Sequence, residues 1–343
     1  MRAYYADEQK CHDPKAFLSS GAPQPNPEQP ERVERLKAGA IAAGCSIERP
    51  RDHGLGPVAA VHTPEYLDFL EHIFERWQRI EGASAEVIPN IHPLARTGSY
   101  PASAVGQAGY HMADTACPIS ADTWNSALWS AWSAVDAAEA VLSGEPAAYA
   151  LCRPPGHHAF ADVAGGFCFV NNSAVAAQVL RRQAARVAIL DVDLHHGNGT
   201  QGIFYARPDV LTVSIHADPV RFYPFFWGHA DERGEGPGLG YNLNLPLPRK
   251  SGDETFLDAL QAAFRRIGSF APDAVVIALG LDAFEGDPFG GLSVSTPGFA
   301  RIGEAIARLG LPTVIVQEGG YLCDALGANL TSFLTGFAGS HRR

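Results

Sequence analysis

From about residue 147 onward, short apolar runs rich in Val, Ile and Leu alternate with amphipathic helical patterns. Such buried runs predict parallel strands, because the helices that connect parallel strands cover both faces of their sheet. The sequence therefore predicts an α/β fold built around a parallel sheet. The predicted strands are 147–152, 187–192, 210–216, 274–279 and 312–317, and the predicted helices are 172–182, 254–267, 297–308 and 326–337.

The first 145 residues have a more helical pattern. A helix is predicted to begin at Thr63-Pro64, where a hydroxyl cap precedes a proline at the first helical position, and to continue to Trp77. A second helix is predicted over 122–142. Residues 80–119 lie between them and are rich in Gly, Pro, Ser and His. They predict a long insertion loop, and a loop of that length inside a compact domain usually has a function.

Composition restricts the classes of function. The 343 residues carry a formal net charge of −11 and no run of Lys or Arg, so no nucleic-acid partner is expected. No apolar stretch reaches the roughly 18 residues of a membrane span, and the N-terminal residues lack the apolar core of a signal peptide. The six cysteines form no CxxC pair, so a cytoplasmic enzyme with reduced thiols is expected. No repeat or linker pattern is found, which predicts a single domain over residues 1–343.

Polar side chains follow two of the predicted strands. Asp191, Asp193 and His195 alternate as the strand at 187–192 ends, so they point to one side, and Asp282 follows the strand at 274–279. Ligands of open α/β sheets bind at the carboxyl ends of the strands. Two carboxylates and an imidazole suit Zn²⁺ or a similar divalent ion. The alternative is that these acids only cap the turns after the strands.

Other strand ends carry groups that suit catalysis. His157 and His158 follow a Pro-Pro-Gly turn, and imidazole is the side chain best suited to proton transfer near neutral pH. Tyr321 follows a strand and two glycines, where a phenol can donate a hydrogen bond to an oxyanion. Gly166 and Phe167 predict a close backbone approach and an aromatic wall. Each of these residues has a structural alternative, since a lone histidine or aromatic residue after a strand usually packs in the core.

Four motifs occur in one order along the chain: RPPGHH at 153–158, DVDLHHGNGT at 191–200, GLDAFEGDP at 280–288 and EGGY at 318–321. Together they resemble the histone deacetylase family and its bacterial relatives. Within that family, HHAFADVAGGFCFVNN at 157–172, FYPFFWGHADERGEG at 222–236 and the long insertion before residue 120 most resemble the acetylpolyamine amidohydrolases. The resemblance implies the arginase–deacetylase fold, in which helices flank a mainly parallel eight-stranded sheet.

The resemblance also implies a metal site and the groups around it. It implies one Zn²⁺ per chain with three ligands: Asp193, His195 and Asp282. It implies that His157 and His158 transfer protons and that Tyr321 polarises the acetyl carbonyl. Asp191 matches the acid that supports His157. The partner of His158 is Asn198, where several eukaryotic deacetylases carry Asp, so the choice of base between the two histidines stays open.

Structural potassium and a narrow channel are implied as well. The first potassium site is implied at Asp191, Asp193, His195, Ser214 and Ile215, and a second one around Phe204, Arg207, Val210 and Tyr241. Phe167 and Tyr223 match the aromatic pair that flanks the methylene chain of the substrate in relatives. Asp114 or Glu81 is a candidate to bind a distal ammonium, and the alternative for both acids is a solvated surface position.

The predicted activity is zinc-dependent hydrolysis of N-acetylated polyamines or diamines, such as acetylputrescine and acetylcadaverine, to acetate and the free amine. The segment 80–119 resembles the loop through which polyamine-specific members dimerise and narrow the entrance, so a homodimer is predicted. The main alternative is a deacetylase of the same family that acts on acetyl-lysine in proteins or peptides. A non-catalytic acetyl-ligand receptor would need a broken site, and an arginase-like dimetal hydrolase would need more clustered carboxylates than the motifs contain.

Overall fold

The computed structural model describes residues 1–96 and 98–341. The described residues form ten strands: β1 (Arg2–Tyr4), β2 (Ala16–Ser19), β3 (Ala22–Pro25), β4 (Ser46–Glu48), β5 (Ala147–Ala150), β6 (Val187–Asp191), β7 (Val210–Ala217), β8 (Asn242–Leu247), β9 (Ala274–Leu279) and β10 (Thr313–Gln317). They also form ten α-helices: α1 (Glu31–Ala42), α2 (Gly56–Ala59), α3 (Pro64–Trp77), α4 (Ala104–His111), α5 (Thr123–Leu142), α6 (Asn172–Leu180), α7 (Asn198–Phe204), α8 (Asp253–Phe270), α9 (Thr296–Ala307) and α10 (Leu326–Ser340).

Eight strands form one sheet in the order β4-β1-β5-β10-β9-β6-β7-β8, and every neighbouring pair is parallel. The predicted parallel α/β architecture is confirmed. The two remaining strands, β2 and β3, form a separate antiparallel hairpin. All five strands predicted from the sequence lie in the large sheet, with ends that differ by at most two residues.

Both faces of the sheet are buried, because successive residues of a strand point to opposite sides. In β6, Val187 and Ile189 face one apolar core, and Ala188 and Leu190 face the other. Residues of α3, α5 and α6 belong to the first core, while α1, α8, α9 and α10 contribute to the second. This two-sided burial explains why the central strands are continuous apolar runs rather than alternating ones.

The predicted helices are present, and α3 begins at Pro64 as expected. The predicted loop over 80–119 differs in two respects. It contains α4, whose N-cap residue Ser103 accepts a hydrogen bond through its side chain from the Gly106 amide at 3.1 Å. It is also closed at its base by backbone hydrogen bonds between Val87 and Ile119. The two glycines in α4 lower its helix propensity, which explains why the sequence pattern missed it.

No helix among the described residues is both long enough and apolar enough to cross a membrane.

The crossing of α1 and α10 provides a test of the packing. A Cβ at Gly39 would collide with the carbonyl oxygen of Gly327, so we expect Gly39→Ala to lower the free energy of unfolding by about 1–3 kcal/mol. Gly268 of α8 faces open space, and Gly268→Ala is a matched control that should stabilise by about 0.5–1 kcal/mol through helix propensity. Urea unfolding measures both, and equal stability of the two variants would contradict this close crossing.

Candidate active site

The four sequence motifs lie together at the carboxyl ends of four neighbouring strands. In the sheet, β5, β10, β9 and β6 are adjacent, and each is followed by one of the four motifs. Parallel strands have their carboxyl ends at the same edge, so residues that are far apart in sequence meet there. The backbone N–H of His157 and the carboxylate of Glu318, which are 161 positions apart, form a hydrogen bond of 3.0 Å.

A candidate metal centre lies at this edge. The ligand atoms of Asp193, His195 and Asp282 all lie within 4.8 Å of one another, and the three side chains are buried. Nδ1 of His195 lies 3.0 Å from Oδ2 of Asp282 and 3.3 Å from Oδ1 of Asp193. Burial alone would lower the pKa of His195, but hydrogen bonds to the two carboxylates raise it to about 9, so this position favours positive charge.

The group fits a divalent metal ion. Two carboxylates buried this closely repel each other unless a cation lies between them, and an O/O/N donor set suits Zn²⁺. The space around the carboxylates is kept by glycine, since a Cβ at Gly280 would collide with Asp193 and a Cβ at Gly319 would collide with both acids. The structure thus brings together the three side chains that the sequence proposed as ligands.

The first histidine of the tandem pair has a carboxylate partner. Nδ1 of His157 lies 2.9 Å from Oδ2 of Asp191, and its Nε2 lies 3.8 Å from Oδ1 of Asp193. Burial would lower the pKa of His157, but the charges of Asp191 and Asp193 outweigh this effect and raise it to about 10. His157 is therefore set up to hold a proton as an imidazolium.

The second histidine has a neutral partner. Nδ1 of His158 lies 2.7 Å from Oδ1 of Asn198, at the start of α7. This pairing assigns the ring proton to Nδ1 and leaves the lone pair on Nε2. Burial and the neighbouring positive charges of His157 and His195 lower the pKa of His158. The two adjacent imidazoles, whose ring centroids are 4.0 Å apart, thus differ in charge because their partners differ.

Tyr321 lies beside the three candidate metal ligands. Its backbone N–H donates to Asp287 at 3.0 Å, which links two of the motifs. Its ring packs 4.6 Å from the ring of Phe289 and 5.9 Å from that of Phe167, and the guanidinium of Arg32 lies 4.9 Å from its centroid. Burial raises the pKa of Tyr321 well above its usual value, so the phenol stays protonated and can donate a hydrogen bond.

Glu318, for which the sequence predicted no role, supports the turn that carries His157. Its carboxylate accepts hydrogen bonds from the N–H groups of Gly156 (2.6 Å) and His157 (3.0 Å) and from the hydroxyl of Ser173 (2.7 Å). Burial raises its pKa to about 7 against the opposing charge of His157. The sequence signal that could have indicated this role is an acid at the end of an apolar strand. Such an acid is expected to be buried, and a buried carboxylate requires several hydrogen-bond donors.

A buried ion cluster that had no sequence signal positions the turn before Tyr321. Arg32 donates to the carbonyl oxygens of Glu318 (2.8 Å) and Gly320 (2.5 Å) and pairs with Glu28, which also accepts from Arg153 at 2.9 Å. Arg32, Glu28 and Arg153 are almost fully buried. Because carbonyl oxygens and the acid surround both guanidinium groups, the cluster fixes the backbone on which Tyr321 is placed.

A cavity of about 260 Å³ leads from the surface to these groups. Its walls are mainly aromatic, and its lining side chains are Phe17, Phe167, Phe222, Tyr223, Phe225 and Phe289, with His158, His195 and Tyr321 among the residues that close it. The predicted channel residues Phe167 and Tyr223 therefore face the predicted catalytic groups. Phe167 has a left-handed backbone (φ 67°), a conformation that proteins retain mostly where function requires it.

Asp114 connects the walls of this channel. Its carboxylate accepts from the hydroxyl of Tyr223 (2.7 Å) and from the N–H groups of Gly166 (3.2 Å) and Ala116 (2.8 Å). It is not among the residues that line the cavity, and Glu81 is exposed elsewhere on the surface. Binding of a distal ammonium by either acid stays a prediction, while the contacts of Asp114 show that it braces the channel.

The ligands of the first predicted potassium site lie at the end of β6, in the turn that follows it and in β7. Asp191 and Ser214 are opposite each other in the pairing of the two strands, and Ile215 follows. The Ser214 hydroxyl lies 2.8 Å from Nδ1 of His216. In the second predicted site, the guanidinium of Arg207 lies over the ring of Phe204 and donates a hydrogen bond to the carboxylate of Asp209. Val210 begins β7, and Tyr241 directly precedes β8. Potassium at either place stays a prediction.

Comparison with known proteins identifies relatives over nearly the whole chain. The model of the histone deacetylase domain family matches residues 26–337. An acetylpolyamine amidohydrolase of Burkholderia pseudomallei (strain 1710b) is 50% identical over 338 residues, 98% of each chain. Acetylpolyamine amidohydrolase 1 of Pseudomonas aeruginosa is 45% identical over the full length of both chains.

The fold agrees with these relatives. The crystal structure of an acetylpolyamine aminohydrolase from Burkholderia pseudomallei superposes with a TM-score of 0.95, at 50% identity over 98% of each chain. The resemblance inferred from the four motifs and the deacetylase fold that it implied are therefore confirmed.

A double-mutant cycle tests the brace between Asp114 and Tyr223. A charged hydrogen bond of this kind contributes about 1.5–3 kcal/mol, so Asp114→Asn and Tyr223→Phe should each destabilise the protein, and the double variant should lose about 1 kcal/mol less than the sum. Urea unfolding gives the coupling. Tyr66 donates instead to the carbonyl of Phe169, so Asp114→Asn with Tyr66→Phe is the control and should be additive. Additivity in both pairs would contradict the brace.

Proposed function

This chain belongs to the histone deacetylase family, and we propose that it hydrolyses N-acetylated polyamines or diamines to acetate and the free amine with one Zn²⁺ per chain. The observation that carries the proposal is the meeting of a buried metal-ligand group, two imidazoles with different partners and a phenol at one aromatic cavity. The substrate class is supported by relatives named acetylpolyamine amidohydrolase that are 50% and 45% identical.

The metal would be held by Asp193, His195 and Asp282. A bound divalent ion supplies a Lewis acid for the carbonyl oxygen and lowers the pKa of water. Two carboxylate ligands cancel the charge of the ion, so the surrounding side chains have to contribute to the activation of water. This requirement agrees with the number of proton-handling groups that surround the ligands.

The proton chemistry is divided between the two histidines. His158 is proposed as the base, since its Nδ1–H is engaged by the neutral amide of Asn198 and its Nε2 keeps a lone pair. His157 keeps its proton because Asp191 stabilises the imidazolium. It therefore supplies positive charge beside the attacked carbonyl. The proton that His158 accepts is returned to the nitrogen of the leaving amine.

Tyr321 is proposed to donate its hydroxyl proton in a hydrogen bond to the oxyanion that forms on the acetyl carbon. Its raised pKa keeps it a donor, and Asp287 holds its backbone. Removing one such donor typically lowers the rate by about 10²–10³. The aromatic walls of the channel fit a thin methylene chain, since Phe167 and Tyr223 both line it.

We further propose a homodimer through the insertion 80–119 and structural K⁺ at the predicted ligands. The insertion exposes Ile91, Leu94 and Tyr100, which are apolar or aromatic. Exposed apolar groups that cluster on one segment are typical of interfaces. Sedimentation equilibrium of the full chain tests this, and a monomer at micromolar concentration would overturn it.

A substrate panel tests the activity. With zinc-loaded protein, we expect kcat/KM for acetylputrescine, acetylcadaverine or acetylspermidine to exceed that for an acetyl-lysine peptide by at least about tenfold, since a narrow channel excludes a folded or bulky chain. A preference for the peptide would favour the alternative, a protein or peptide deacetylase. Metal analysis should give one equivalent per chain in the wild type and none in Asp282→Ala, and two equivalents would indicate a dimetal hydrolase.

The neutral partner of His158 predicts a shifted pH profile for Asn198→Asp. A carboxylate beside the ring stabilises the imidazolium and raises the pKa of His158. A base has to be neutral to accept a proton, so the acidic limb of the kcat/KM profile should move to higher pH, by about one unit. Asn198→Ala removes the partner without adding charge and should not move the limb upward. An unmoved limb in Asn198→Asp would assign the base role to another group.

A further inference from the structure

We propose that Phe289 is a positioning residue for the reaction: its ring holds the phenol of Tyr321 in the orientation from which the hydroxyl donates to the oxyanion. The inference rests on the proposed function, in which Tyr321 is that donor. It gives Phe289 an effect on the rate of the chemical step, in addition to its place in the wall of the cavity.

The hydroxyl of Tyr321 is not held by a hydrogen bond. The backbone N–H of Tyr321 donates to Asp287, but among residues 1–96 and 98–341 no group forms a hydrogen bond with the hydroxyl oxygen. An oxyanion donor has to lie about 2.7–3.1 Å from the developing charge. Because the hydroxyl is at the far end of the side chain, a small rotation of the ring moves it out of that range. Packing of the ring therefore has to fix its orientation.

Phe289 makes the closer of the two aromatic contacts of Tyr321. The ring centroids of Phe289 and Tyr321 are 4.6 Å apart at an interplanar angle of 69°, whereas Phe167 lies 5.9 Å away. Such edge-to-face contacts are favourable because the positive edge of one ring meets the negative face of the other. The ring of Phe289 also meets that of His195 at 5.3 Å and 87°. Phe289 therefore sets the spacing between a candidate metal ligand and the proposed oxyanion donor.

One carboxylate holds the backbone of both residues. Oδ1 of Asp287 accepts from the N–H of Phe289 at 2.9 Å, and Oδ2 accepts from the N–H of Tyr321 at 3.0 Å. Asp287 is buried, and hydrogen bonds from backbone N–H groups to an ionised carboxylate are among the stronger ones in proteins. Because the two residues share this anchor, the backbone of Phe289 cannot move away from Tyr321 without the loss of one of these hydrogen bonds.

A positioning role and a merely lining role differ in the kinetic constant that they affect. A wall that contacts the substrate equally before and during the reaction changes KM, whereas the placement of an oxyanion donor changes kcat. A positioning role also requires the hydroxyl, so the effect of Phe289 should disappear when Tyr321 lacks it. A double-mutant cycle between the two residues separates these roles.

The cycle consists of zinc-loaded wild type, Phe289→Met, Tyr321→Phe and the double variant, measured with the best substrate of the panel above. Methionine keeps an apolar side chain of similar size and removes the ring. We expect Phe289→Met to lower kcat by about two- to tenfold, the range of an aromatic pair, and to change KM by less than about twofold. In the Tyr321→Phe background the same substitution should lower kcat by less than about twofold. Phe289→Leu, a second variant without the ring, should give the same pattern.

Phe225→Met is the matched control. Phe225 also lines the cavity, but its ring contacts that of Tyr223, at 6.4 Å, rather than that of Tyr321. Whatever change in kcat/KM this substitution causes should be the same in the wild-type and Tyr321→Phe backgrounds, since distant sites act additively.

A transition-state analogue gives a second measurement without turnover. A trifluoromethyl ketone analogue of the substrate forms a hydrate that resembles the tetrahedral intermediate, and an analogue of this kind binds through the interactions that the transition state makes. By calorimetry, Phe289→Met should raise its Kd by about two- to tenfold when Tyr321 is present and by less than about twofold in Tyr321→Phe.

An equal loss of kcat from Phe289→Met in both backgrounds would overturn the inference while leaving the proposed function intact, because Phe289 would then act without the phenol. A raised KM with an unchanged kcat would overturn it as well and assign Phe289 to the wall alone. Non-additivity of the same size in the Phe225→Met control would show a general effect of the cavity and would also overturn it. Failure of the wild type to hydrolyse any acetylated amine would instead overturn the proposed function, and the inference with it.

Discussion

The carboxyl edge of the sheet concentrates buried negative charge, and the site depends on how that charge is compensated. Four acids are buried there and are close enough to interact electrostatically: Asp191, Asp193, Asp282 and Glu318. An uncompensated charge in such a place is strongly unfavourable. Each acid has a different solution: an imidazolium for Asp191, a metal-ligand geometry for Asp193 and Asp282, and three hydrogen-bond donors for Glu318.

The same logic extends away from the metal group. Glu28 lies between Arg32 and Arg153. The other N–H groups of Arg32 donate to carbonyl oxygens of the EGGY motif, and those of Arg153 donate to carbonyl oxygens of the N-terminal region, such as that of Gln9. A buried ion pair of this kind contributes little net stability compared with an apolar replacement. Its value here is geometric, because it joins the N-terminal region to the turns after β5 and β10. The positions of His157 and Tyr321 thus depend on a cluster whose own residues do not line the cavity, although Arg32 lies over the ring of Tyr321.

Identical residue types acquire different chemistry through their partners. His157 and His158 are consecutive and equally buried, yet one is bonded to a carboxylate and the other to an amide. The carboxylate favours a retained proton, and the amide favours a neutral ring. The channel shows a related effect, since the hydrogen bonds of the Asp114 carboxylate to Tyr223 and Gly166 make this acid a brace between the channel walls.

The sequence by itself determined the parallel α/β architecture, because buried strands such as Val187–Asp191 and Ala274–Leu279 are continuous apolar runs with polar residues at their carboxyl ends. It also selected the side chains that meet there, since the four motifs are local patterns. It did not reveal β1 and β4, which have three residues each, nor β8, whose alternating pattern contains a proline. It gave no sign of Arg32, Glu28 or the contacts of Asp114 either. The contacts between Arg32 and Glu318, Glu28 and Arg153, and Asp114 and Tyr223 each join residues more than 100 positions apart, so only the tertiary structure decides which donor a buried acid finds.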